Sequence, residues 1–353
     1  MNLIIPDRLK KGDTLGIVSP SAGLAPFAMH RIDNAVKYFQ DMGYKIIIGT
    51  NALKNEGYVS ASINDRVEDI HSMFLNPEVK AIICTIGGNN SNQLLPFIDF
   101  ALIKNNPKIF IGYSDISVLH FAIQNQSNLA TYYGPCLMTQ FGEYPKPLPY
   151  TIKFFNKLLC SNDSKSIIIS QSEFWTDESP NWFEKKDLDE KRKQHKNTGY
   201  EWLKKGKSSG TAWGGTIPSI NYLLGTKYWV KPKNSIFFLD IPEGKDINSG
   251  LGLSEVDAYL TNLDNAGIFD EIKGIIVGRP YKYTLEEHNK LKEIILRITD
   301  KYDFPILYNA NIGHVDPIIT LRYGQKIEID SDKNYFSLLN NKKITHENRE
   351  PTR

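Results

Sequence analysis

The sequence has few cysteines, almost no net charge and no long apolar run. Its three cysteines, Cys84, Cys136 and Cys160, show no metal-ligand spacing among 353 residues, which argues against a disulfide framework or a zinc site. No stretch reaches the roughly 18 apolar residues of a membrane-spanning helix, and the first residues lack the basic start and apolar core of a signal peptide. The 42 basic and 40 acidic residues nearly cancel, so no global charge attracts nucleic acid or membrane. We therefore expect a cytoplasmic protein whose partners are neither nucleic-acid polymers nor membranes.

Strand-like and helix-like segments alternate through the first part of the chain, which predicts a mainly parallel sheet covered on both faces. The predicted strands are residues 14–18, 44–48, 81–86 and 108–111, and the predicted helices are 28–42 and 63–75. Beyond Gly210 strands dominate, at 211–216, 235–240, 274–278, 305–308 and 325–330, with helices at 254–265 and 285–298. We predict an α/β fold with an active site in the cleft between two domains: an N-terminal parallel-sheet α/β domain (1–165), a polar insertion (166–209) and a C-terminal strand-rich α/β domain (210–353).

The polar insertion is basic and carries tryptophan. Nine Lys/Arg and five Asp/Glu lie between Glu184 and Lys207, and the wider segment contains Trp175, Trp182 and Trp202. Such a segment is a solvated loop in one interpretation. In the other it is functional, because tryptophan can stack on a base while lysine holds a phosphate. The sequence leaves both open.

Ser114 lies in the turn Gly112-Tyr-Ser-Asp115, between a predicted strand and a predicted helix. A turn of this kind exposes the hydroxyl of a nucleophilic serine and directs backbone N–H groups at the group that it attacks. Serine is equally a preferred helix N-cap, and Ile116 replaces the second glycine of the G-x-S-x-G motif. The turn alone therefore does not decide between a nucleophile and a cap.

A serine nucleophile needs a base and a group that orients the base. His314 is the best candidate base, because it lies in a loop rich in glycine and proline after a predicted strand. Asp240 ends an apolar strand, from which its carboxylate could reach an imidazole or cap a local turn. The amides of Gly88 and Asp115 could form an oxyanion hole. No G-x-G-x-x-G follows the first strand, which makes dinucleotide binding a weak alternative.

Together these segments resemble the serine peptidase family of the murein-recycling LD-carboxypeptidases and the microcin C self-immunity peptidases. The resemblance spans nearly the whole chain, and the motifs that carry it are Gly12-Asp-Thr-Leu-Gly-Ile-Val-Ser-Pro-Ser-Ala, Thr85-Ile-Gly-Gly-Asn-Asn-Ser-Asn, Ile111-Gly-Tyr-Ser-Asp, Tyr133-Gly-Pro and Gly313-His-Val-Asp-Pro. Three segments look like the microcin immunity branch: Asn89-Asn-Ser-Asn-Gln-Leu-Leu-Pro, Phe141-Gly-Glu and Asp177-Glu-Ser-Pro-Asn-Trp182.

The resemblance implies a homodimeric hydrolase without metal or cofactor that uses Ser114 as nucleophile, His314 as base and the Gly88 and Asp115 amides as oxyanion hole. It implies an amide between an aspartyl residue and a nucleotide as substrate, with Trp182 stacked on the base. A peptidyl- or aminoacyl-nucleotide is thus the expected small-molecule partner.

The chain departs from the family pattern at the third catalytic position. Family members carry glutamate where this strand ends in Asp240, so the shorter side chain could misplace the imidazole, or Glu243 could take its place. Thr216 stands where asparagine is usual. Two alternatives follow: a murein LD-carboxypeptidase that releases terminal D-alanine, and a catalytically impaired protein that only binds nucleotide or peptide.

Overall fold

The computed structural model describes residues 3–161 and 166–339. Its first part contains the elements β1 (Thr14–Val18), α1 (Met29–Asp41), β2 (Lys45–Ile48), α2 (Ile63–Leu75), β3 (Val79–Cys84), α3 (Phe100–Asn105), β4 (Ile109–Gly112), α4 (Ser117–Ser127), β5 (Tyr132–Tyr133) and α5 (Pro149–Leu159). Strands and helices alternate here as predicted. Every residue of β1 and β4 is buried, because helices cover both faces of the sheet to which they belong.

The second part of the chain, from residue 166 to residue 339, contains the remaining elements. They are β6 (Ile167–Ile169), β7 (Phe174–Trp175), β8 (His195–Lys196), β9 (Glu201–Lys204), β10 (Lys207–Thr216), α6 (Ile217–Asn221), β11 (Ser235–Asp240), α7 (Leu253–Asn265), α8 (Ile268–Glu271), β12 (Ile272–Gly278), α9 (Leu285–Ile298), β13 (Ile306–Ala310), β14 (Leu321–Arg322), β15 (Lys326–Asp330) and β16 (Tyr335–Leu339). None of the helices between residues 3 and 161 or between 166 and 339 combines the length and apolar character needed to cross a membrane.

Two large sheets organise these strands. The first has the order β14-β5-β4-β3-β1-β2 and is parallel except for β14, which runs antiparallel to β5. The second has the order β6-β16-β15-β10-β11-β12-β13-β9, with four parallel strands, β10 to β13, at its centre. The predicted α/β class, with a parallel N-terminal sheet and a strand-rich C-terminal part, is confirmed.

The segment 166–209, expected to be a polar insertion, contributes directly to the second sheet. Strands β6 and β9 form the two edges of that sheet, and β10 begins within the segment at Lys207. Only β7 and β8 pair separately, as a small two-stranded sheet. The boundaries at residues 165 and 209 stay a prediction.

Helix α4 joins the two sheets directly behind the candidate site. The amide of Thr216, at the end of β10, donates a hydrogen bond to Ser117 Oγ at 3.1 Å. Tyr323 reaches back from the turn after β14 and donates to the Gly214 carbonyl at 2.8 Å. These buried contacts hold the carboxyl end of β10, and with it the neighbouring end of β11, close to the carboxyl end of β4. Ligands bind at this edge in open α/β sheets.

Candidate active site

Ser114 occupies a strained turn between β4 and α4. Its φ of +64° lies in the left-handed region, which non-glycine residues rarely adopt and which costs roughly 1–3 kcal/mol. The residue is not a helix cap: Tyr113 and Ile116 hold the N-cap positions of the short turn and of α4. The Ser114 hydroxyl instead lies 3.0 Å from His314 Nε2. The cap interpretation is therefore wrong.

The glycine pair after β3 packs directly against this serine. A Cβ on Gly87 would lie 2.5 Å from Ser114 Cβ and 3.3 Å from the Asp115 nitrogen, so only glycine fits there. Gly88 has a φ of +145° and packs against Ser21 and Ala22. Gly87 thus lies against both Ser114 and the Asp115 amide, and Gly88 follows it in the same loop. Sequence reasoning named Gly88 but missed the contact that Gly87 makes.

His314 links Ser114 to Asp240. The imidazole is 7% exposed, and its Nδ1 lies 3.0 Å from Asp240 Oδ1 and 2.8 Å from Oδ2. The His314 backbone N–H also donates to Asp240 Oδ1, at 3.2 Å. The three predicted residues come from the ends of three different strands, β4, β11 and β13, and meet in one contact chain.

Asp240 is fully buried and held by two further donors. The hydroxyls of Tyr133 and Thr216 donate to its Oδ2 at 2.5 and 2.7 Å. Gly313 lies so close that a Cβ there would collide with the Asp240 carboxyl group. The shorter side chain therefore reaches the imidazole without a gap. The alternative of a catalytically impaired protein rested only on the shorter side chain of Asp240. The 2.8 Å contact between Asp240 and His314 removes the reason for that alternative.

Glu243 approaches the other ring nitrogen. Its Oε2 lies 3.4 Å from His314 Nε2, on the side that faces Ser114, so Asp240 and not Glu243 contacts Nδ1. Burial acts to lower the pKa of His314, but the nearby carboxylates of Asp240, Glu243 and Asp316 outweigh it and raise the pKa to about 9. The site therefore stabilises the protonated His314 imidazole relative to a free histidine side chain in water.

The Asp115 carboxylate joins three loops beneath Ser114. Its Oδ2 accepts from Ser21 Oγ at 2.6 Å and from the Ser91 amide at 2.8 Å, while Ser91 Oγ donates to the Asp115 carbonyl at 2.9 Å. Burial raises the pKa of Asp115, and these hydrogen bonds partly oppose that rise. Sequence reasoning used only the amide of this residue, because its side-chain partners lie 24 and 94 positions away.

Trp182 is half-buried beside a buried arginine rather than at the Ser114 hydroxyl. The guanidinium carbon of Arg31 lies 4.2 Å from the indole centroid. Arg31 is itself fixed by Asp187, at 2.7 Å, and by the carbonyls of Met138 and Thr139. The guanidinium therefore covers one face of the indole and holds the ring in place.

Arg192, from the polar segment, ties that segment to the His314 loop. Its Nε donates to Glu143 at 2.9 Å and its Nη2 to Asp316 at 2.8 Å, and Gln140 donates to the second Asp316 oxygen at 3.1 Å. Sequence reasoning missed this residue, since nothing in a run of basic side chains distinguishes a buried one. Among the described residues, no three His, Cys, Asp or Glu side chains are placed to hold a metal ion together.

Comparison with known families decides the class of this chain. Residues 15–134 match the LD-carboxypeptidase N-terminal domain, and residues 209–329 match the LD-carboxypeptidase C-terminal domain. The chain belongs to the LD-carboxypeptidase family of serine peptidases. The resemblance read from the sequence is confirmed, as is the prediction that the protein is an enzyme of the serine carboxypeptidase class.

Individual members of the family resemble the chain over almost its whole length. It is 31% identical to the microcin C7 self-immunity protein MccF of Escherichia coli over 332 residues, 94% of each chain. It is 29% identical to a probable murein peptide carboxypeptidase of Bacillus subtilis, covering 92% of this chain and 91% of that one. The structure of MccF in complex with aspartyl sulfamoyl adenosine aligns with a TM-score of 0.87 at 31% identity, covering 95% of this chain and 98% of that chain.

Proposed function

We propose that the protein is a serine amide hydrolase of the microcin C self-immunity type, which cleaves the amide between an aspartyl residue and a nucleotide. The observation that carries this proposal is the unbroken contact chain from Ser114 through His314 to the buried Asp240. The similarity to MccF, whose structure holds aspartyl sulfamoyl adenosine, supports the class of substrate.

The contacts suit acyl transfer. Asp240 accepts the Nδ1–H of His314, which leaves the Nε2 lone pair to face the Ser114 hydroxyl at 3.0 Å. Ser114 Oγ attacks the scissile carbonyl and its proton passes to Nε2; the proton then passes to the leaving nitrogen as the amide bond breaks. Water, activated by the same imidazole, releases the acid from Ser114. Protein groups and water complete the cycle.

The amides of Gly88 and Asp115 stabilise the oxyanion in this proposal. Gly87 packs on Ser114, and the buried Asp115 carboxylate fixes the Ser21 and Ser91 loops around it, so these amides are held before substrate arrives. Preorganised donors of this kind are worth about 10²- to 10³-fold in kcat each.

Trp182 stacks on the base of the nucleotide. Arg31 covers one face of its indole ring, which keeps the ring fixed and lets the opposite face receive a planar ligand. The proposed partner is thus a small peptidyl- or aminoacyl-nucleotide. The accompanying expectations are a cytoplasmic location and a homodimer, and light scattering on the purified protein measures the second.

A murein LD-carboxypeptidase is the second candidate, favoured by the similarity to the murein peptide carboxypeptidase of Bacillus subtilis. The same Ser114 chemistry would then release terminal D-alanine. The two functions differ in what occupies the space near Trp182: a base in the first and the rest of a peptide in the second.

Hydrolysis of two substrates side by side separates these functions. Aspartyl sulfamoyl adenosine and a murein tetrapeptide are incubated with the wild-type protein, and the products are identified by mass spectrometry. The proposal expects release of aspartate and sulfamoyl adenosine with little release of D-alanine. Cleavage of the tetrapeptide alone would assign the protein to cell-wall recycling instead.

A further inference from the structure

Glu243 is held rigidly at the mouth of the site, in the connection between β11 and α7. Glu243 pairs with Gly250 in an antiparallel bridge, and the neighbouring amides of Leu251 and Gly244 donate to the carbonyls of Pro242 and Ser249 at 3.0 and 2.9 Å. The backbone is therefore fixed, while the side chain is 38% exposed and accessible to a ligand.

The carboxylate lies next to the reacting atoms. Its Oε2 is 3.4 Å from His314 Nε2, and that nitrogen is 3.0 Å from Ser114 Oγ. Glu243 is consequently two short contacts away from the nucleophile. Whatever it binds in a substrate must lie within a few bonds of the scissile carbonyl.

Glu243 has no permanent cationic partner. Two buried carboxylates elsewhere in the fold do: Arg192 pairs with Asp316, and Arg31 pairs with Asp187. In the ranges 3–161 and 166–339, the only ion pair of Glu243 is with His314, with no lysine or arginine within 4.0 Å. When His314 is neutral, as a general base must be, the Glu243 charge lacks a counter-charge, and a carboxylate in that position favours a cation from the substrate.

An amino acid carries one cation at the required place. The α-ammonium group is bonded to the carbon adjacent to the carbonyl, and that carbonyl must come within about 3–3.5 Å of Ser114 Oγ to react. A lysine or arginine side chain would instead place its charge several bonds further away. The position of Glu243 thus matches the α-ammonium.

We propose that Glu243 binds the free α-ammonium group of the acyl residue and thereby selects aminoacyl substrates over N-acylated, peptidyl ones. This inference rests on the proposed function and refines its substrate class. Acylation of the amine removes the charge and adds bulk, so a peptidyl substrate would leave the Glu243 carboxylate unpaired.

The same contact prepares the base. Once the α-ammonium neutralises Glu243, less negative charge faces His314 Nε2, and the imidazole releases its proton more readily. The correct substrate thus promotes the neutral imidazole that Ser114 needs, whereas an N-acylated substrate does not.

The test compares aspartyl sulfamoyl adenosine with its Nα-acetyl derivative at pH 7, where most of the free amine is protonated. For the wild type we expect kcat/KM to favour the free amine by about 10- to 100-fold, the range of a hydrogen bond to a charged group. In Glu243→Gln the ratio should fall towards one, mainly through loss of activity on the free amine. Glu286→Gln, on an exposed part of α9, is the matched control and should keep the wild-type ratio.

A binding measurement keeps the test independent of turnover. In Ser114→Ala, calorimetry should show tighter binding of the free amine than of the acetyl derivative, and the added Glu243→Gln change should remove the difference. Equal affinities in Ser114→Ala, or a preference that survives Glu243→Gln, would overturn the inference. Because this result does not need hydrolysis, it separates a failure of the inference from a failure of the proposed function, in which the wild type would bind but not cleave.

Discussion

Arg192 Nη2 lies 2.8 Å from Asp316 Oδ2, and this ion pair connects the polar segment to the loop that carries His314. Because the Asp316 carboxylate also accepts from Gln140, the loop is held from two sides. The pair is largely buried, with 14% and 9% of the two side chains exposed. A contact outside the Ser114–His314–Asp240 chain therefore helps to hold the loop that carries His314.

Replacing Arg192 by lysine tests this positioning. Lysine keeps the charge but cannot contact Glu143 and Asp316 with the same planar fork, so the His314 loop should loosen. We expect kcat to fall by about 10- to 100-fold, the scale of a small misplacement of a catalytic group, with KM changed much less. Steady-state kinetics measures both. Arg297→Lys, in an exposed ion pair on α9, is the matched control, and an equal loss there would contradict the prediction.

Asp240→Asn should reduce kcat by about 10⁴-fold while the protein stays folded, because an amide no longer holds His314 in the required tautomer or stabilises the imidazolium. The measurement is single-turnover hydrolysis together with circular dichroism. Thr216→Val removes only one donor to Asp240 and should cause a much smaller loss. Comparable losses in the two variants would show that the hydrogen-bond network, and not the carboxylate, limits the rate.

Trp182→Ala should weaken the nucleotide contact. Loss of one base stack costs about 1–3 kcal/mol, so we expect KM for aspartyl sulfamoyl adenosine to rise by roughly 5- to 150-fold with a smaller change in kcat. Trp182→Phe should keep much of the affinity. Trp202→Phe, on β9, serves as control, since Trp202 donates its indole N–H to Asn334 in another part of the fold. An unchanged KM in Trp182→Ala would remove the main support for a nucleotide.

The pKa of His314 governs the response to pH. The base must be neutral, so the rate constant for acylation should rise with pH and level off above the pKa of about 9. Glu243→Gln removes one of the charges that hold the proton, so this variant should have a lower pKa and reach its plateau at lower pH. An NMR titration of the His314 ring in the free enzyme measures both values, and identical values would contradict this assignment.

Protonation of His314 has opposite effects on activity and on stability: it lowers the rate of acylation but stabilises the folded protein. Because the folded-state pKa of His314 lies above the ordinary value of 6.5, protonation of this residue stabilises the folded state fully below that value. The stabilisation disappears as the pH rises through about 9. Urea unfolding at several pH values should therefore show a smaller contribution from His314 in Glu243→Gln over this interval.

Local patterns were sufficient for most individual elements. The strand at residues 235–240 and the helices at 63–75 and 285–298 have the predicted bounds, since each combines a clear apolar periodicity with turn or cap signals at its ends. Ser114 and His314 could be named because each follows a strand in a recognisable turn, and Asp240 because it ends an apolar strand. The distances between these three residues could not be predicted, because those distances depend on how the two sheets pack together.

The missed features all depend on contacts between distant parts of the chain. Strand β14 has only two residues, and its place in the first sheet comes from pairing with β5. Arg192 reads as one of many solvated basic residues until its buried partners are known. Glu243 was considered as a substitute for Asp240, but the direction from which it approaches the imidazole is a tertiary property.

The most direct measurement of the central claim is hydrolysis of aspartyl sulfamoyl adenosine by Ser114→Ala beside the wild type, followed by mass spectrometry. Removing a serine nucleophile should lower kcat by about 10⁵- to 10⁶-fold, while the folded protein still binds the ligand. That result would establish Ser114 as the group that attacks the amide. Hydrolysis by Ser114→Ala at a rate close to that of the wild type would contradict the account, because the contact chain from Asp240 to Ser114 would then have no role in the reaction.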